Sequence, residues 1–267
     1  MAPAPAPAPA PDLTRRLAAE FLGTALLVTA VVGSGIAAQR LSPTDVGLQL
    51  LENSIATALA LTVLILAFGP ISGAHFNPVV SAADWLLGRI AARGNAPATG
   101  LNGLDVAAYT LAQILGAIAG AELANLMYRV PIGELASTDR AGVHLLIGEV
   151  TATAGLVVLI FALARTGRGR LAALAVGAYI GAAYWFTSST SFANPAVTIG
   201  RIFSDTFAGI APGSVPGFVL AQLVGAAIAV AVVHWLYTTT GKPGDPTVDD
   251  VVVPHTLPRP DPHRSTP

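Results

Sequence analysis

Two short stretches, HFNPVVS (His75 to Ser81) and FANPAVT (Phe192 to Thr198), place an Asn-Pro pair in otherwise apolar surroundings. The pair suits a helix start: the Asn side-chain oxygen caps free backbone donors, and Pro at the first helical position gives up a donor that has no partner. A single Asn-Pro would be an ordinary cap. Two of them, at Asn77-Pro78-Val79 and Asn194-Pro195-Ala196, offer two amide groups that can donate hydrogen bonds to a passing solute. This is the chemistry of transfer without bond making.

Glu20 and Glu149 are ionisable groups within long apolar runs, where such residues are functional candidates by default. They serve either as proton carriers or as acceptors for backbone donors of non-helical loops. Gln113 and Gln222 suit a loop-bracing role, and His75 either braces its loop or lines a mouth beside Asn77. Nothing points to an enzyme, a metal site or a cofactor. No phosphate loop or HExxH motif occurs, and His75, His144, His234, His255 and His263 lack metal-ligand spacing. With no cysteine, disulfides, thiolate metal sites and cysteine nucleophiles are excluded.

The elements that must position these groups are membrane elements. Of the 267 residues, 53% are hydrophobic and 11% charged, against about a quarter charged in soluble domains. The net charge of −1 and the lack of a basic cluster give no sign of nucleic acid as a partner. A bilayer core needs about 20 apolar residues per helix. Segments 17–38, 50–69, 106–128, 142–164, 171–189 and 216–238 meet this. Asn77–Leu87 and Asn194–Phe203 are apolar but about half that length, which predicts re-entrant half-helices. Residues 1–12, an Ala-Pro alternation, and residues 239–267, rich in Pro, Thr and Asp, read as disordered tails around a channel domain at 13–238.

The two halves repeat one another. Glu20-Phe-Leu-Gly-Thr24 answers to Glu149-Val-Thr-Ala-Thr153, the two Asn-Pro stretches answer to each other, and Ala112-Gln-Ile-Leu-Gly-Ala117 answers to Ala221-Gln-Leu-Val-Gly-Ala226. Repeat one covers about 13–128 and repeat two about 142–238. Three spans per repeat is an odd number, so the second copy enters from the opposite face. With the N-terminus inside, the inner connections hold Arg15, Arg16, Arg89, Arg93, Arg165, Arg168 and Arg170, and the outer ones Arg40, Arg129, Arg140 and Arg201. The excess predicts an inner-membrane protein with both termini in the cytoplasm. Tyr128, Tyr184, Trp185, Trp235 and Tyr237 fall near span ends, where amphipathic rings favour the interface.

These features together resemble the aquaporin and glycerol-facilitator (major intrinsic protein) family. The resemblance implies an all-α membrane protein, six transmembrane helices plus two re-entrant half-helices in two inverted repeats. It implies a passive channel for water or small neutral solutes, a homotetramer with one pore per subunit, and a scaffold role for Glu20 and Glu149. The Asn-Pro half-helices would meet at the midplane, direct their positive ends there and repel cations. Carbonyls of Ser72–Phe76 and Ser189–Ala193 would form a ladder of acceptors.

The outer filter departs from the family pattern. The third residue after the second Asn is usually arginine and here is Val197, while Thr198 replaces the Asp usual in glycerol facilitators. The family pattern, counted back from the second Asn, implies Ser191 and Ala182 as filter residues; its span-two member is Leu59 by sequence matching or Thr57 by plain counting. The set Leu59, Ala182, Ser191 and Val197 predicts a wide, uncharged constriction that admits solutes larger than water. Arg201, one helical turn beyond Val197, either reaches back into the outer vestibule or pairs with Asp205 on the surface. NPAVTIGR followed by FSDTFAGIAP resembles a bacterial subgroup associated with arsenic resistance, which adds arsenite-type acids to glycerol and urea as expected solutes. The alternative function is a proton-coupled secondary transporter using Glu20 or Glu149 as proton carrier.

Overall fold

A computed structural model of the chain describes residues 11–92 and 98–237. The expected tails, apart from Pro11 and Asp12, lie outside the described residues. Among the described residues there are eight α-helices: α1 Leu13–Leu41, α2 Val46–Ser72, α3 Pro78–Ala91, α4 Gly103–Tyr128, α5 Val143–Arg165, α6 Ala172–Phe186, α7 Pro195–Gly200 and α8 Val215–Leu236. Side-chain caps set the starts. The Asp12, Asp45 and Asn102 side chains accept from the backbone amides of Arg15, Leu48 and Asp105 at 2.8 to 2.9 Å.

α1, α2, α4 and α5, together with the segment Pro212–Leu236, are long and apolar enough to cross a bilayer. The segment expected to span 171–189 has only 15 α-helical residues, preceded by a 3-10 turn at Gly169–Leu171. The helix ends at Phe186, where Thr187 turns extended and caps it, its hydroxyl donating to the Ala183 carbonyl at 2.7 Å. At the end of α2, by contrast, the helix runs on through Pro70 to Ser72 and stops where Gly73 turns left-handed with φ 88°.

α1 packs on α2 and α4, and α5 packs in the same manner on α6 and α8. Each short helix contacts both third helices: α3 touches α4 and α8, and α7 touches α4 and α8. The contacts are matched residue by residue across the repeats. A Cβ placed on Gly116 would run into the Phe21 carbonyl oxygen, and one on Gly225 into that of the equivalent Val150. Small residues at these points let the helix backbones touch. Gly116→Val is therefore expected to separate α1 from α4 and to destabilise the protein by about 1–3 kcal/mol or more. A drop in the detergent melting temperature would report it; an unchanged melting curve would refute it.

Candidate functional site

α3 and α7 begin at Asn77 and Asn194, whose side-chain oxygens accept from Val79 N (3.1 Å) and from Ala196 N and Val197 N (3.0 and 3.2 Å). Each amide nitrogen then crosses to the opposite repeat. Asn77 Nδ2 donates to the Ala193 carbonyl at 2.8 Å, and Asn194 Nδ2 donates to the Phe76 carbonyl at 2.7 Å. An amide has two N–H donors, so each Asn keeps one. Both residues line a cavity of about 630 Å³ that also takes in Gly167, Gly169 and Arg170 toward one end and Thr57, Tyr184, Val197 and Arg201 toward the other.

One wall of the cavity is backbone. Ala74, Phe76, Ser191 and Ala193 all have left-handed φ between 48° and 52°, and they occupy the same places relative to Asn77 and Asn194. Left-handed residues alternating with extended ones turn successive carbonyls toward one side, at a conformational cost that surrounding contacts must hold. Those contacts are the glutamates. Glu20 accepts from the Ser72 hydroxyl (2.6 Å), His75 N (3.0 Å), Phe76 N (2.7 Å) and Gln113 Nε2 (2.8 Å). Glu149 accepts from Phe192 N and Ala193 N, both at 2.8 Å, and from Gln222 Nε2 at 2.7 Å. Both carboxylates are wholly buried and surrounded by donors, an arrangement that anchors loops.

The glutamines extend the same brace. Gln113 Nε2 also reaches the Ser81 hydroxyl and Gln222 Nε2 the Thr198 hydroxyl, four residues after each Asn. Thr198, in the place of the glycerol facilitators' Asp, is thus a bonded brace. His75 is both brace and lining: its Nδ1 is 3.0 Å from the Ser81 hydroxyl, and it contributes to the cavity wall. Tyr109, which carries no motif and was not singled out by the sequence, donates its hydroxyl to the Ser72 carbonyl at 2.9 Å.

The remaining walls are apolar and again paired. Leu27 and Val31 of α1 correspond to Leu156 and Ile160 of α5, counted from Glu20 and Glu149. On α2 the pore face is Thr57, Leu61 and Ile65, and on α6 it is Ala173, Val176, Ile180 and Tyr184. Leu59 and Ala182 are not on these faces, which corrects two expected filter positions. Leu59 is 63% exposed and belongs to the outward-facing stripe of Leu51, Ile55, Leu59 and Val63. Two residues along a helix is about 200° of rotation, so a hydropathy match in the wrong phase turns a wall residue outward. Ala182 is exposed for the same reason, two positions before Tyr184.

Tyr184 itself was expected at the membrane interface. It is 3% exposed, and its hydroxyl lies 3.2 Å from that of Thr57. Arg201, also 3% exposed, is part of the cavity wall, so the expected filter region is neither uncharged nor built of small residues alone. Its guanidinium lies over the Phe192 ring, 3.4 Å from the centroid, and its Nε donates to the Ala208 carbonyl. The expected alternative, a surface pair with Asp205, is not formed. Asp205 accepts instead from the Ser137 amide and hydroxyl at 2.8 and 2.9 Å, which hold its carboxyl below the usual range.

Arg140 of the connection between repeats reaches the same ring at 5.1 Å, its Nε bonded to the Gly209 carbonyl. The connection is stitched to the segment after α7 by Ala136 N to Ile202 O and Ala211 N to Thr138 O, both 2.7 Å. Tyr184, Phe192 and Arg140 had no sequence signal beyond their types. Their role depends on helix phase and on where a long connection settles.

The family model described as major intrinsic protein matches residues 8–193. The aquaglyceroporin AqpS of Rhizobium meliloti (strain 1021) is 51% identical over 225 residues, covering 84% of this chain and 91% of that protein. An aquaporin Z of Brucella melitensis biotype 1 is 38% identical over 113 residues, 42% of this chain and 43% of that one. Among solved structures, the aquaglyceroporin from Plasmodium falciparum covers 84% of this chain and 96% of its own, with a TM-score of 0.61. At 19% identity this last likeness speaks for the fold alone.

Proposed function

This chain belongs to the major intrinsic protein family, and from that premise we propose that it is a facilitator for neutral solutes larger than water, of the size of glycerol and urea. It is a passive membrane channel for water and small solutes, and not an enzyme. The observation that carries the solute reading is Val197 in the cavity wall at the place where the family pattern has arginine. At that end of the cavity the wall carries the guanidinium of Arg201, held to one side on Phe192. A solute sheds water against the apolar faces and recovers hydrogen bonds from the carbonyl wall, the free N–H of Asn77 and Asn194, and Arg201.

The resemblance of the NPAVTIGR segment supports arsenite-type acids, which are neutral triols at neutral pH, as further solutes. The excess of arginine in the inner connections supports an inner-membrane location with both termini cytoplasmic. Family membership supports a homotetramer, which mass measurement in detergent would check.

Stopped-flow light scattering of proteoliposomes tests the main reading. Water, glycerol and urea fluxes well above those of empty liposomes, linear in gradient and indifferent to an imposed pH gradient, are expected. Water flux alone would refute it. For the arsenite reading, growth inhibition by arsenite that is identical with and without the channel, at matched expression, is the refuting result.

A further inference from the structure

Arg201 is a buried cation without an anion. The ion pairs among the described residues are Arg15 with Asp12 and Arg16 with Asp105, all remote from it in the fold. Of the acidic groups of its own half and of the connection before it, Glu149 is committed to two backbone amides and Gln222, Asp205 to Ser137, and Asp139 to Ala141 N and the Ser214 hydroxyl, while Glu134 is exposed on the connection and not in the cavity wall. Arg201 uses only its Nε, toward the Ala208 carbonyl. Its two terminal nitrogens have no hydrogen-bond partner among the described residues and are not sealed from open space. A second guanidinium, Arg140, 5.1 Å from the Phe192 ring centroid, adds further positive charge.

The same cavity wall holds a second polar group without a partner. The Ser191 hydroxyl is buried, has no hydrogen-bond partner among the described residues, and belongs to a residue that lines this cavity. An isolated buried charge is costly unless it is paired and hydrogen-bonded, and an unmade buried hydrogen bond carries its own penalty. Water can answer part of this, yet the donor set is of one kind: a planar fork of charged N–H groups and a hydroxyl. That set matches a small planar oxyanion, which accepts two parallel bonds from a guanidinium.

We propose that Arg201 and Ser191 form a binding site for a small monovalent planar oxyanion at the outer end of the pore, where the bound anion obstructs neutral solutes. The proposal rests on the reading of the cavity as the solute path. It adds a ligand class to that path, with Phe192 and Ala208 as positioning partners for the guanidinium.

The probe is nitrate, which does not titrate near neutral pH. Urea flux in proteoliposomes is measured with nitrate on both sides, against gluconate, too bulky for the site, at matched ionic strength. Saturable inhibition by nitrate is expected. In Arg201→Gln, each flux taken relative to its own uninhibited value, the inhibition constant should rise about tenfold, as expected when a charge-assisted bond is replaced by a neutral one. Ser191→Ala should raise it by a smaller factor, and it removes only a hydroxyl if the arginine variant fails to fold.

Isothermal titration of the native channel in detergent with sodium nitrate provides a readout that needs no flux. Saturable binding that weakens in Ser191→Ala supports the site even if no solute is conducted, in which case the channel-solute reading fails and this one stands. Urea flux indifferent to nitrate together with no titration heat would overturn the anion site and leave the solute reading intact. Inhibition of equal strength in native protein and both variants would overturn it as well.

Discussion

A channel carrying Val197→Arg is expected to lose at least about tenfold of its urea and glycerol flux, each tenfold being about 1.4 kcal/mol of added barrier, while keeping most of its water flux. Val197 is buried in the wall with Ser191, and Arg201 lies one turn further on. An arginine here would project a long stem and a second guanidinium into space that the first one leaves open. No carboxylate is available to the newcomer, because Glu149 is fully occupied by loop donors. The pore would be both narrower and more strongly charged. Glycerol and urea must fit past the group, whereas water can be handed from one guanidinium to the next. Stopped-flow traces of the two proteins at equal reconstitution decide it. Unchanged urea and glycerol fluxes would mean that Val197 is not at the constriction. The double variant Val197→Arg, Arg201→Ala, with one guanidinium moved by one turn, should restore more flux than the single variant.

The largest effect on the fold is expected for Glu149→Leu. Leucine keeps most of the volume and removes the acceptor for Phe192 N, Ala193 N and Gln222 Nε2. Each buried donor left without a partner costs about 1–3 kcal/mol. Three of them amount to roughly 3–9 kcal/mol, comparable with a total stability of about 5–15 kcal/mol. Loss of the monodisperse peak in detergent is expected, with the protein recovered as aggregate. Glu149→Gln should fall between, because one oxygen still accepts while the new NH2 faces donors. A well-folded Glu149→Leu channel would show that the loop is held by something else. A folded Glu149→Gln whose solute flux had become independent of a pH gradient, when that of the native protein was not, would restore the proton-carrier reading.

Much of this site was legible in the sequence because it is built from groups that have few other uses inside a membrane. Asn-Pro in a half-length apolar segment, and a Glu and a Gln in each repeat at matching places, identify the two half-helices and their braces before any coordinates. The walls were harder. Leu59 and Thr57 lie on the same apolar span, and hydropathy does not separate a face that meets lipid from one that meets a dewetted pore. Only the rotation of α2 does, and that is fixed by how the helix packs on α1 and α6. Tyr184 shows the same limit. A tyrosine near a span end suits the interface, yet the phase of α6 turns it toward Thr57. Arg201 was visible as a candidate from its spacing, while its resting place depended on Phe192 and on the Ala208 carbonyl, both set by loops.

The crossed bonds of the two asparagines have a consequence for how the chain is made. Asn77 finds its acceptor, the Ala193 carbonyl, 116 residues later in the chain. At a synthesis rate of about 5–20 residues per second, the first half-helix waits roughly 6–23 s before its partner leaves the ribosome. During that interval the Phe76 carbonyl and the Asn77 amide are served only by water or by the insertion machinery. The first repeat can thread its three spans early, but its half of the pore cannot close until the second repeat arrives. The conduit cannot form before the second repeat is made, and a chain halted after α4 contains no half-channel.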